Sequence, residues 1–129
     1  MAVRTKVNAG FLVAVAGVIT YFSTVSLNSA GAPSGTFSFL HLAAYFGLGA
    51  AFLLYFHDTR RGHLEAVAAA GVFGLGIELV QSTIPYRSFS FEDIAVNFLG
   101  ASIVLLDHRI GAVSKAIEVE DKILEEFFE

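Results

Sequence analysis

Apolar residues along this chain come in four long blocks, and the charges fall between the blocks. The blocks cover residues 8–27, 37–56, 64–84 and 91–106. A helix rises about 1.5 Å per residue, so blocks near twenty residues match a hydrocarbon core of roughly 30 Å. The fourth block is short, roughly 24 Å if fully helical, and would span with local thinning of the bilayer or with its ends near the interface. The pattern predicts an all-α membrane protein. A four-transmembrane-helix bundle would fill residues 1–109, and residues 110–129 would form an acidic, amphipathic, cytoplasmic helix. A competing reading makes the first block a cleaved signal peptide, since Arg4 and Lys6 precede it and the small residues Ser29 to Ala32 follow it. Its apolar run is longer than a usual signal core, which favours a retained span.

Composition agrees with the blocks. The 129 residues are 55% hydrophobic and 16% charged, with a mean hydropathy of +0.67, more apolar surface than one soluble domain of this size can hide. The absence of cysteine excludes disulfides, thiolate catalysis and Cys-ligated metal. The net charge of −4 misleads as an average, because six of the twelve acidic residues lie in the last twelve positions. No basic patch suggests nucleic acid.

The basic residues set an orientation. Arg4 and Lys6 precede the first span, and the loop after it carries no charge. Arg60 and Arg61 sit between spans two and three, only Arg87 between three and four, and Arg109, Lys115 and Lys122 after span four. This alternation predicts four crossings of the cell membrane with both termini cytoplasmic. It also puts His41, Tyr45, Glu78, Gln81, Arg87, Asp93 and Asn97 in one layer, at or just below the outer surface.

Helical spacing groups these residues. Gly71, Gly74, Glu78 and Gln81 follow steps of three, four and three on one face of span three. His41, Tyr45 and Gly49 share a face of span two, and Asp93, Asn97, Gly100 and Ala101 share a face of span four. Glycines on those faces let helices approach closely, so three polar ends could converge. Plainer roles compete at each position. Ser90 to Asp93 fits a capping box opening span four. Asn97 suits a bond between helices, Arg87 and Tyr86 suit an interface belt, and His41 suits a satisfied core histidine. His57 and His63 flank the basic loop and read as solvated. Glu78 is hardest to explain in this way, because a carboxylate inside a span costs about 2.5–3.5 kcal/mol at mid-bilayer.

These residues are where the chain resembles the VanZ-like family of small membrane proteins. The matching stretches are "HLAAY" at 41–45, "IELVQ" at 77–81, "PYRSFS" at 85–90 and "EDIAVNFLGA" at 92–101. The resemblance covers roughly residues 37–106. Two features depart from it: Phe37 and Ser38 stand where the family often has an Asp-Lys pair, and Tyr86 replaces a common glycine. The resemblance implies an integral membrane protein with an outward-facing polar site, and supplies no reaction.

Three functional classes follow. In the first, the outer residues bind a lipid or lipid-linked head group. Arg87 would clamp an anion, and Glu78 or His41 would serve as acid or base if there is catalysis. In the second, the chain is an accessory subunit whose polar residues join helices and whose tail docks a protein partner. In the third it moves protons, but polar groups confined to the outer half give no inward path without a homo-oligomer. No motif calls for a cofactor or a metal.

Overall fold

The computed structural model describes residues 2–24, 36–56, 60–85 and 91–128. Arg87, His57, Ser90 and Tyr86 lie outside the described residues. Every described element is helical: α1 (Ala2–Thr24), α2 (Thr36–Phe56), α3 (Arg60–Gln81), α4 (Phe91–Ser102), a 3-10 stretch (Ile103–Leu106), α5 (Asp107–Ile110) and α6 (Ala112–Phe128). Three helices are long and apolar enough to cross a membrane, over Val3–Thr24, Phe39–Phe56 and Arg61–Gln81.

Two helices do not keep the bounds of their hydrophobic blocks. α1 starts before residue 8 and carries Arg4 and Lys6 within it. α3 starts before residue 64 and ends at Gln81, where Ser82, Thr83 and Ile84 turn back through amides bonded to the Glu78, Val80 and Gln81 carbonyls at 3.0–3.1 Å. Block boundaries follow hydropathy, whereas helices continue wherever the backbone stays bonded, so charged flanks are drawn in. The short fourth block is also extended. Ser102, Leu106 and Asp107 all keep right-handed helical dihedrals, so the chain winds on through the 3-10 stretch into α5. It stops at Gly111, whose φ of 69° is left-handed and whose amide reaches the Asp107 carbonyl at 2.6 Å. Glycine takes that conformation without a Cβ clash.

α2 is the central helix, touching α1, α3 and α4, with α4 its most extensive neighbour. Small residues make that approach close. A Cβ on Gly49 would lie 3.1 Å from the Ala101 carbonyl oxygen, and one on Gly100 would strike the Leu42 backbone. Phe98 packs over Gly71 of α3 in the same way. The core between these contacts holds Tyr45, Leu48, Ala70 and Ala101. A second cluster joins Leu53, Ala66 and Val104 toward the other end. By contrast Val13, Phe22, Phe39, Val72, Leu79 and Leu99 are exposed along the flanks, as lipid-facing residues are.

Amides from neighbouring helices close two helix ends. The last four carbonyls of a helix have no partner within it. Asn8 Nδ2 of α1 donates to the Leu54 carbonyl near the end of α2 at 3.1 Å. Gln81 Nε2 of α3 donates to the Ser23 carbonyl near the end of α1 at 2.9 Å. Both side chains are buried. At the end of the bundle that holds Asn8, Arg4 Nη1 donates to both Asp121 carboxylate oxygens at 2.9 and 2.7 Å, tying α6 to α1.

Candidate functional site: a polar cluster at one end of the bundle

Helix spacing puts one polar residue per turn at the end of each of three packed helices, and the packing brings them together. On α2, His41 and Tyr45 are one turn apart, and their rings lie parallel with centroids 6.5 Å apart. On α4, Asp93 and Asn97 are one turn apart. On α3, Gly74 and Glu78 are one turn apart. His41 Nδ1 lies 3.2 Å from Asn97 Oδ1, joining α2 to α4. Gly74 faces both partners: a Cβ there would lie 2.8 Å from Tyr45 Cε1 and 3.0 Å from Asn97 Nδ2. The glycine therefore lets a phenol and an amide press against the α3 backbone.

Burial is nearly complete at the base of this cluster. Tyr45 and Asn97 are 1% exposed and Glu78 is 0% exposed. His41 and Asp93 are half-buried and form its rim. Glu78 and Asp93 both lie within electrostatic range of the Tyr45 hydroxyl. Two donors at the base stand out: among the described residues, neither Tyr45 Oη nor Asn97 Nδ2 has a hydrogen-bond partner. A buried polar group without a partner costs about 1–3 kcal/mol, so two on side chains packed around the same glycine call for an explanation.

The candidate residues do not all meet. His41, Tyr45, Glu78, Asp93 and Asn97 gather as described. Gln81 is buried but turns to the α1 backbone, where it closes a helix end. Arg87 falls outside the described residues. Glu92 is exposed beside Asp93 in the first turn of α4, where a carboxylate suits the helix dipole.

Sequence reasoning missed a second polar layer at the opposite end. His63 is not solvated: it is 2% exposed, and its Nε2 lies 3.4 Å from Asp107 Oδ2. Asn8, Arg4 and Asp107 are buried in the same layer. Buried polar groups are thus not confined to one half of the bundle. The available signal was weak, because His63 sits beside Arg60 and Arg61 and its partner lies 44 positions away on another helix. Between the two layers the buried residues among those described include Leu48, Gly49, Ala51, Ala70, Gly71 and Ala101, none of which ionises.

Comparisons with known proteins bear on the same stretch. An uncharacterized protein of Schizosaccharomyces pombe is 41% identical over 68 residues, which is 51% of this chain and 42% of that protein. The chain therefore matches less than half the length of that relative. No solved structure matches the chain. A family model described as VanZ/LLP1 matches residues 10–110, a region that holds most of α1, all of α2, α3 and α4, and every residue of the cluster. With its membrane-length helices and most of its sequence inside that match, the chain belongs to the VanZ/LLP1 family.

Proposed function

We propose that this VanZ/LLP1 membrane protein binds the head group of a lipid, or of a lipid-linked envelope component, in the His41–Tyr45–Glu78–Asn97 cluster. The observation that carries the reading is the pair of buried donors, Tyr45 Oη and Asn97 Nδ2, neither with a partner among the described residues, on two side chains that pack around Gly74. Donors of this kind need acceptors, and phosphate or sugar oxygens supply them. Glu78 and Asp93 would accept hydrogen bonds from sugar hydroxyls, and Arg87, six residues before Asp93 in sequence, would neutralise a phosphate.

The membrane placement belongs to the same proposal. The helical path from α4 to α5 covers residues 91–110, roughly 30 Å, which is enough for a fourth crossing. Four crossings with the basic loops inside put both termini in the cytoplasm and the cluster at the outer surface of the cell membrane. The test is native mass spectrometry of the protein extracted in mild detergent from its own membranes. A retained lipid is expected in the native chain and lost in Glu78→Gln and in Arg87→Ala, with all three folded. The same lipid retained in every variant would refute the proposal.

A second reading makes the polar residues helix glue in an accessory subunit. The His41–Asn97 and Gln81–Ser23 bonds favour it, since each joins two helices. It leaves the two unpartnered donors without a role.

A further inference from the structure

At the end of the bundle opposite the cluster, α6 folds back along the start of α1 and leaves a shallow apolar groove between them. Val7 of α1 forms one wall, and Ala116, Val119 and Ile123 of α6 form the other. Val7, Val119 and Ile123 are all exposed. Val7 lies within the stretch of α1 that is apolar enough to cross a membrane, only a turn from its end. The groove is therefore continuous with the lipid-facing flank of α1, at the depth where acyl chains meet head groups. The Arg4–Asp121 pair holds α6 in place beside it.

Two charged residues line the same groove, Lys115 and Glu120. Two ion pairs lie close by: Lys122 pairs with Glu118 at 3.0 Å, and Asp121 pairs with Arg4. Glu120 is half-buried, and its Oε1 is buried with no hydrogen-bond partner among the described residues. Lys115 has no ion-pair partner among the described residues. The groove thus offers an apolar bed, one cation and one carboxylate oxygen that lacks a donor among the described residues.

From this we infer that the α1–α6 groove seats one phospholipid whose head group ends in a primary ammonium, of the phosphatidylethanolamine type. An acyl chain lies along Val7, Ala116, Val119 and Ile123. Lys115 meets the phosphate, and Glu120 accepts an N–H from the ammonium. A choline head group carries the same charges but has no N–H to donate, and an anionic glycerol head group has no cation to place on Glu120. The inference rests on α1 crossing the membrane and is independent of the head-group reading at the other end.

The test is a titration of the full-length protein in mild detergent, followed by native mass spectrometry. The probes are phosphatidylethanolamine, phosphatidylcholine and phosphatidylglycerol with identical acyl chains. Losing one hydrogen bond to a charged group costs about 1.5 kcal/mol or more, so the ethanolamine lipid should bind about tenfold tighter than the choline lipid. Glu120→Gln, which leaves only a neutral amide oxygen as acceptor, should narrow the preference to about threefold or less. Val119→Trp, which fills the groove, should weaken the ethanolamine lipid by a similar factor. If Glu120→Gln does not fold, Glu120→Asp, which withdraws the carboxylate, should reduce the preference instead. Tyr45→Phe should leave it unchanged, which separates this site from the distant cluster. Equal binding of all three lipids, tightest binding of phosphatidylglycerol, or a preference that survives both Glu120→Gln and Val119→Trp would overturn the inference.

Discussion

At the scale of single residues, the cluster depends on a glycine. Gly74 admits the Tyr45 ring and the Asn97 amide to the α3 backbone, and a methyl group would lie 2.8 Å from Tyr45 Cε1 and 3.0 Å from Asn97 Nδ2, closer than van der Waals contact allows. Neither neighbour can withdraw easily, since Tyr45 and Asn97 are each 1% exposed. Gly74→Ala should therefore cost about 1–3 kcal/mol through overpacking, despite the better helix propensity of alanine. A thermal melt in detergent checks this, and an unchanged or raised midpoint would show that the three helices are not seated as described. Glu78→Gln isolates charge from shape. If the cluster binds a head group, this variant should fold, insert and fail in a cellular complementation assay. Retained function in both Glu78→Gln and Arg87→Ala, with both proteins folded, would remove the functional role from these residues.

At the scale of elements, Gly111 and the Arg4–Asp121 pair decide where α6 sits. Gly111 needs a left-handed φ, so Gly111→Ala should cost about 1–2 kcal/mol. Asp121→Asn removes an ion pair whose carboxylate side chain is 44% exposed, so its effect should be small, within about 1 kcal/mol. Both changes should raise amide hydrogen exchange over residues 112–128 and leave α2 and α3 protected. Uniform loosening of the bundle would mean that α6 is integral to the core. Much at this scale was legible in sequence. The apolar blocks overlap α1 to α4, because lipid imposes a minimum length that soluble helices lack, although α1 starts six residues and α3 four residues before its block. The i, i+4 spacing of His41 with Tyr45 and of Asp93 with Asn97 puts each pair on one face. The partners of buried polar groups were not legible. Gln81 and Asn8 bond to backbone carbonyls, which carry no residue-type signal, and His63 meets Asp107 across two helices. The seat of α6 on α1 depends on a similar distant pair, Arg4 with Asp121.

At the scale of the whole molecule, head-group binding as proposed needs the cluster to face outward. Cysteines introduced at Ser34 and Ser88 should react with an impermeant reagent from outside, and one at Thr59 only after the membrane is opened. Labelling of position 88 from inside would reverse the site. Among the described residues the bundle carries polar layers at both ends, with Leu48, Ala51, Ala70 and Ala101 buried between them. The central claim is that buried donors in the outer layer are kept for a ligand at a cost in stability. Tyr45→Phe tests it most directly, because it deletes one unpartnered hydroxyl and little else. Relief of about 1 kcal/mol or more should raise the melting midpoint of the lipid-free protein by a few degrees, while the retained head-group lipid is lost from the mass spectrum. A midpoint that falls by several degrees, with the lipid still bound, would show that the hydroxyl serves the fold and would contradict the account.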